Sequence, residues 1–542
     1  MSTPTETCVL VVGGGPAGSY AACVLAREGV DVVLLEAETF PRYHIGESML
    51  ASMRYFLRFI ELEEKFDGHG FEKKYGATFK ITDKNEAYTD FSASLGPGGY
   101  SWNVIRSQSD ELIFRHAAES GAKIFDGTKV ESITFEPYPH TEYTSDAHLA
   151  NPGRPVSATW SRKDGSTGNI KFEYLVDASG RNGVISTKYL KNRQFNLGLK
   201  NIANWAYWKG ARRYNAGGPN ENSPFFEALS DGTGWVWTIP LHNDTVSCGI
   251  VVRQDIFFAK KKASNLDGPS FYTEFLKQAP RIHEMLSKAE IISEIKQATD
   301  WSYSATAYAG PHFRMAGDAG CFVDPYFSSG VHLALSTGLS AATSIQAARR
   351  GQCDERVAAK WHGTKVAEGY TRFLLMVTAV LRQLRMKESQ ILSTDQENGF
   401  DTAFKTIQPV IQGIADTQME DSKVRKHAAD SINFALDSFD EEKQRAAVVK
   451  KIQQSQAEPE ALEKLTPEEV LILNKIVNRT YHRERDAKYL AKLSSDVIDG
   501  LSANVERGNL GLIKANMNQS TDMTEKAPMA NNGRVAYVPM VN

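Results

Sequence analysis

The chain has 542 residues, with 62 lysines and arginines against 65 aspartates and glutamates for a formal net charge of -3. A balance this even gives no broad electrostatic reason to hold DNA or RNA, and the length suffices for two or three domains with their own cores. The five cysteines (Cys8, Cys23, Cys248, Cys321, Cys353) include no Cys-x-x-Cys pair, which argues against a disulfide framework or a cysteine zinc site.

Residues 1–7 are polar and the apolar stretch Cys8 to Val12 is too short to cross a bilayer. The expectation is a soluble cytoplasmic protein with no signal peptide and no membrane partner. Cys8 to Val12 reads as a buried parallel strand, Gly13 to Gly18 as a tight turn, Ser19 to Glu28 as a helix and Val32 to Leu35 as a second strand. Cys8 and Cys23 are then small apolar fillers. This βαβ unit opens a doubly wound α/β sheet that binds a dinucleotide. Gly13 permits the turn, Gly15 lets the backbone approach a pyrophosphate, and Gly18 lets helix pack on strand. Pro16 and Ala17 lie in this turn as cofactor-binding residues, and the amides and dipole at the start of the following helix face the phosphates. Glu36, closing the second strand, is placed to accept from a ribose hydroxyl, which disfavours a 2'-phosphate.

Further strands are expected at Tyr174 to Gly180 and His312 to Asp318, each ending in a turn. Segments 130–170 and 200–250 alternate like antiparallel strands, with turns at Asp164-Gly165 and Asn243-Asp244. Val331 to Arg350 reads as a helix whose small residues (Ala334, Ser336, Gly338, Ala341, Ala342) suit close packing. Val357 to Leu384 is a second helix with an apolar stripe of Phe373, Leu374, Val377 and Leu381. Thr466-Pro-Glu-Glu469 carries helix-start signals, and the charges near 441–451 read as a solvated face. The expected organisation is a nucleotide domain over 1–355, interleaved with a substrate-side sheet at about 80–110 and 190–300. A mostly helical region at 356–514 and a loose tail at 515–542 follow.

Three segments raise the reading above a generic nucleotide fold. Trp235-Val-Trp-Thr-Ile-Pro240 puts two indoles on one face of a strand; the plain reading is a pair of core aromatics. Phe71-Glu-Lys-Lys-Tyr-Gly76 carries Lys74, which alone reads as a surface residue beside Lys73. Asp324-Pro-Tyr-Phe-Ser-Ser-Gly330 offers small residues before a helix, where backbone amides can bind an anion; its plain reading is an ordinary helix lead-in.

Taken together over the first 380 residues, these motifs resemble the flavin-dependent halogenases, in particular the fungal type acting on phenolic polyketides. The nucleotide fold is similar to that of the p-hydroxybenzoate hydroxylase type, with an interleaved substrate sheet and a helical C-terminal region. The Gly-rich turn, the strand-end Asp177 and Gly317-Asp318 are shared with aromatic hydroxylases and do not choose between the two chemistries. The resemblance implies FAD as cofactor, its reduced form supplied by a separate flavin reductase, and chloride or bromide as co-substrate, with chlorination expected. It implies oxidation through a flavin hydroperoxide to hypohalous acid, which Lys74 relays to the substrate. An ammonium in a dry pocket can donate to hypohalous acid, and a neutral amine can form a haloamine.

On the same resemblance, Trp235, Trp237, Ile239 and Pro240 lie beside the flavin, and Ser329 and Gly330 hold the halide. Arg42 and Ser48 belong to the strap Pro41 to Ser48 between flavin and substrate, where Arg42 can pair with phosphate. Arg106, Asp110 and Asp318 belong to the flavin neighbourhood, while His44 is read as structural. The sequence departs from tryptophan halogenases at Phe327, which stands where those enzymes carry a catalytic glutamate. A phenol needs less help, because its own oxygen feeds charge into the ring. The competing readings are an FAD-dependent aromatic hydroxylase and a non-catalytic flavin-binding scaffold.

Overall fold

In the computed structural model, the described residues are 2–81, 86–139, 141–218, 220–385, 407–417, 426, 428–432, 435 and 497–515. The helix-start signals at Thr466, the charged run at 441–451 and residues 516–542 lie outside them.

Two sheets organise the chain. The first has a parallel centre in the order Lys123–Phe125, Val32–Leu35, Glu6–Val12, Thr167–Asp177, Phe313–Met315. Its strands are apolar on both faces because both are covered. Leu10, Val12, Val33 and Leu35 enter a core shared with the second sheet, whereas Val9, Val11, Val32 and Leu34 face helices on the other side. Those helices include Pro16–Arg27, Arg106–Glu119 and Gly330–Arg349. The small-residue face of the last permits near contact with the first: a Cβ on Gly338 would lie 2.5 Å from the carbonyl oxygen of Ala17.

The second sheet runs Glu290–Ile291, Arg193–Lys209, Thr245–Arg253, Gly234–Pro240, Phe225–Ala228, Gly76–Lys80, Glu86–Asp90, with Lys296–Ala305 also on Arg193–Lys209. It is antiparallel except where Phe225–Ala228 pairs with Gly76–Lys80. One face joins the shared core through Trp205, Trp235 and Trp237, and the other packs Val236, Cys248 and Ile250 against three helices between 254 and 285. The turns fall at Gly165 and Asp244, both with left-handed backbone.

The structure differs from the sequence expectation, or completes it, in four places. The first helix begins at Pro16, three residues earlier, because proline is suited to the opening turn where no amide partner is needed. Cys8 is only half-buried, its thiol 3.6 Å from Glu173 near the start of the strand. The antiparallel hairpins of 128–177, expected only as alternating strands with no sheet assigned, extend the nucleotide sheet. The second sheet takes strands from 76–90 and 193–305, while residues 101–103 pair separately with 72–74.

The helix Glu355–Arg385 lies across the shared core, burying Phe373, Val377 and Leu381 with Leu374 partly covered. Its first residue anchors it. Arg314 is fully buried at the end of the parallel sheet, and its guanidinium makes paired bonds of 2.9 and 3.0 Å to Glu355 and a third to Ser344. Removing one partner would leave a desolvated charge. Glu355→Gln is expected to lower unfolding free energy by about 3–5 kcal/mol, read as a shift of the denaturant midpoint with an unchanged slope.

Candidate active site

A cavity of about 860 Å³ opens between the carboxyl ends of the parallel strands and the tryptophan face of the second sheet. It lies at the large end of the roughly 300–1,000 Å³ typical of cofactor sites. Strand ends are where open α/β sheets bind ligands, because successive loops and helix N-termini converge there. Here the converging loops are Gly13–Ala17, Ala178–Asn182 and Ala316–Asp318.

The three glycines of the first loop separate by geometry. Gly13 has φ +102, and a Cβ there would lie 2.3 Å from the carbonyl oxygen of Ala178. At Gly18 a Cβ would lie 1.9 Å from the carbonyl oxygen of Gly13. Both are required by the fold itself. Gly15 is different: its φ of -69 and ψ of -178 suit any residue, and an added Cβ would meet only Arg42, at 3.4 Å, on the cavity wall. The fold does not demand glycine at 15, but a phosphate chain passing close to the backbone would. The residues present therefore fit a dinucleotide.

Pro16, Ala17, Glu36 and Arg42 line the same end. Glu36 accepts from the amides of Gly14 (2.5 Å) and Glu38 (2.8 Å), leaving lone pairs for a ribose hydroxyl. Arg42 reaches Asp110 at 3.2 Å; Asp110 is held by both nitrogens of Arg106 at 2.7 and 3.0 Å and does not itself line the cavity. Arg106 does, and it also donates to the carbonyls of Ile45 and Gly46. Asp318 lines the opposite wall, its carboxyl pushed up to about 6 by burial. Asp177 is structural: it accepts from the amides of Ser179 and Ile185 and shapes the loop behind the cavity.

Trp235, Trp237 and Ile239 face the cavity, the two indoles 5.8 Å apart. Pro240 does not line it, since strand alternation turns it to the other face. In the loop before the long helix, Pro325, Ser328 and Gly330 line the cavity, with Ser328 in left-handed backbone at φ 56. Ser329 lies behind them, fully buried, and its hydroxyl has no hydrogen-bond partner. The indole N–H of Trp235 and the phenol of Tyr326 are likewise buried without partners. Phe327 packs against Tyr326 and Phe79, and Phe79 stacks on Phe226 at 4.8 Å.

Lys74 is not a surface residue. It ends a three-residue strand, so its side chain points opposite to that of Lys73: Lys73 is exposed over Tyr100, whereas Lys74 is 1% exposed. Its ammonium donates to Ser48 Oγ and to the carbonyl of Met49, both at 2.8 Å, and sits 5.0 Å from the ring centre of Phe91. Burial lowers its pKa to about 7. Lys74 lies outside the cavity lining and Ser48 is in it, so the serine hydroxyl is the contact between cavity and amine.

The same strap carries a group that no sequence motif singles out. Glu47 lines the cavity while almost wholly buried; one oxygen accepts from Tyr207 at 2.6 Å and the other has no partner. Burial pushes its pKa up to about 7. Tyr207 lies 160 positions away on another sheet, and no local spacing announces such a pair. Elsewhere Ser52, His332 and Asp416 form a hydrogen-bonded row. None of them lines the cavity, and Arg372 neutralises Asp416, so the row clamps residues 407–417 to the long helix. Among the described residues no cluster suits a metal ion, and no helix is long and apolar enough to cross a membrane.

Fold and site together define an FAD-binding oxidoreductase with a two-sheet body. Residues 6–368 match the family described as FAD binding domain. Flavin-dependent halogenase ptaM of Pestalotiopsis fici is 71% identical over 517 residues, covering 95% of this chain and 96% of the relative. Sulochrin halogenase gedL of Aspergillus terreus is 62% identical over 522 residues, covering 95% and 94%. The solved structure of flavin-dependent brominase Bmp2 superposes with a TM-score of 0.65 at 25% identity, covering 79% of this chain and 98% of that one. The chain belongs to the flavin-dependent halogenases.

The geometry at Gly15 gives a direct test. Gly15→Val is expected to fold normally, because nothing in the protein opposes the side chain, yet to weaken FAD binding at least about tenfold, as overpacking of a filled site does. Titration of flavin fluorescence measures this, and an affinity equal to that of the unchanged protein would remove Gly15 from the pyrophosphate site.

Proposed function

We propose that the chain chlorinates an electron-rich phenolic, polyketide-like small molecule, with FAD reduced by a separate flavin reductase and chloride or bromide as co-substrate. The observation that carries the reading is Lys74, a buried amine with its pKa near neutrality, bonded to a serine on the cavity wall.

Bound reduced FAD supplies two electrons for oxygen activation, through which halide is oxidised to hypohalous acid. The chain supplies the surroundings. The Gly15 backbone and the helix starting at Pro16 hold the pyrophosphate with Arg42, and Glu36 takes the ribose. Trp235, Trp237 and Ile239 cover the flavin and keep water from the oxidant. Gly330, at a helix N-terminus, forms the halide end of the cavity, with the buried hydroxyl of Ser329 behind it. Lys74 receives the oxidant and delivers it to a ring carbon ortho or para to the phenol oxygen. The side chains of Phe79, Phe226, Tyr326 and Phe327, grouped on the second-sheet side of this loop, suit a flat aromatic substrate. With Phe327 in the loop there is no carboxylate to steady an indole intermediate, which favours a phenol that activates itself.

The test is incubation with FAD, a flavin reductase, NADH, oxygen and chloride against electron-rich phenols, followed by mass spectrometry. The expected product shows the chlorine isotope pattern and requires enzyme, reduced flavin and halide. A phenol that gains only oxygen, regardless of chloride, would make the protein a hydroxylase. Lys74→Met, close to lysine in volume, is expected to lower chlorination by roughly 100-fold or more while FAD affinity and flavin reoxidation persist. Retained chlorination would exclude the lysine relay.

A further inference from the structure

Halogenation has a proton requirement that follows from its balance. Oxygen takes four electrons and four protons to become two waters. Reduced flavin gives two of each. Replacement of an aromatic hydrogen by halide gives two electrons and one proton. One proton per turnover must therefore come from solvent, into a cavity that a bound dinucleotide fills.

A row of hydrogen bonds runs from Tyr43, which lines the same cavity and is 47% exposed, to the buried carboxyl of Glu47. The indole N–H of Trp205 donates to the phenol oxygen of Tyr43 at 2.7 Å, and the Tyr43 and Tyr207 hydroxyls are 3.1 Å apart. Tyr207 donates to Glu47 at 2.6 Å. With Tyr207 donating inward, Tyr43 must donate to Tyr207, so the row is polarised in one direction, towards the carboxyl. Tyr43 is 47% exposed, while Glu47 is 2% exposed on the cavity wall with its second oxygen unpartnered.

We propose that Tyr43, Tyr207 and Glu47 are a proton relay that carries the solvent proton of each halogenation turnover into the flavin cavity. The relay rests on the halogenase reading for its purpose, though not for its existence. A proton entering at Tyr43 passes to Tyr207 as the Tyr207 proton moves to Glu47. The carboxylic acid then turns about its Cγ–Cδ bond to present the proton to the cavity, and the hydroxyls rotate back.

The other groups facing Glu47 fit this part. Arg106, from the helix beside the strap, favours the carboxylate; Ser247, on the second sheet, does the same and itself accepts from Trp237 Nε1 at 3.2 Å. Lys74 spends its bonds on Ser48 and Met49 rather than on the carboxyl. Burial opposes Arg106 and Ser247, leaving the carboxyl near pKa 7, where it can both take and release a proton at neutral pH.

The experiment uses Glu47→Gln, Tyr207→Phe and the surface variant Tyr43→Phe in the full chain. Infrared difference spectra of the flavin-free protein, titrated through neutral pH, are expected to show a protonated-carboxyl band that is absent in Glu47→Gln and shifted in Tyr207→Phe. With FAD and the reductase, Glu47→Gln and Tyr207→Phe are expected to lower kcat for halogenation by roughly tenfold or more. KM for the phenol and FAD affinity should stay unchanged, the solvent deuterium isotope effect should grow and the pH profile should move. Tyr43→Phe should show a smaller loss of the same kind.

No carboxyl band assignable to Glu47, or a Tyr207→Phe variant with unaltered rate and isotope effect, overturns the relay. If the unsubstituted protein makes no halogenated product, the halogenase reading fails by itself. The infrared titration, which needs no turnover, still decides whether Glu47 exchanges protons through Tyr207.

Discussion

Arg106 is buried at the start of its helix, and its guanidinium is divided between Asp110 and the carbonyls of Ile45 and Gly46. The working parts of the cavity depend on that division. Asp110 neutralises Arg106 and also reaches Arg42, so one carboxylate sets the cation beside Gly15. The carbonyls fix the strap one residue before Glu47 and two before Ser48. Through Glu47 the strap is tied to Tyr207 on the second sheet, and through Ser48 to Lys74. A buried ion pair of this kind is weak evidence for net stability. Its effect here is geometric, since the two domains' chemical groups are referenced to one guanidinium.

The second constraint is the alternation of strand Gly234–Pro240. Because successive residues point to opposite faces, Val236 anchors the sheet in the outer core while Trp235, Trp237 and Ile239 form an apolar wall on the cavity. The wall is not purely a spacer. Trp237 donates to Ser247, whose hydroxyl faces Glu47, so the tryptophan run is wired into the carboxyl site as well as covering it.

Much of this was legible in the sequence where information is local. The βαβ opening, the strand ends at Asp177 and Met315, and the two long helices follow from short periodic segments and turn chemistry. The different burden on each glycine could be assigned from spacing, and the backbone at Gly13, Gly15 and Gly18 explains it. Lys74 shows the limit: beside Lys73 it looks solvated, and only the register of a three-residue strand decides which amine is buried. Propensity carries no such information for so short an element. Glu47, Tyr43 and Tyr207 are still less legible, because a tyrosine on a 17-residue strand meets the strap only after the two sheets close over one another. The sheet joined by 128–177 was not legible for a related reason, as alternation marks a strand but not its partner.

Lys74 and Glu47 show what the closed arrangement does to charge. Burial discourages the ammonium and the carboxylate alike, so one pKa falls to about 7 and the other rises to about 7. Mutual ion pairing would have driven them apart, stabilising both charges, but each is bonded to neutral groups instead, with Ser48 and Met49 on one and Tyr207 on the other. Ser48 of the strap contacts the buried amine of Lys74, and its neighbour Glu47 sets a buried carboxyl on the cavity wall. With pKa values of about 7, amine and carboxyl can each gain or lose a proton near neutral pH at little cost. Ser48 ties Lys74 to the strap that carries Glu47, and Arg106 keeps that strap in register with the flavin end of the cavity.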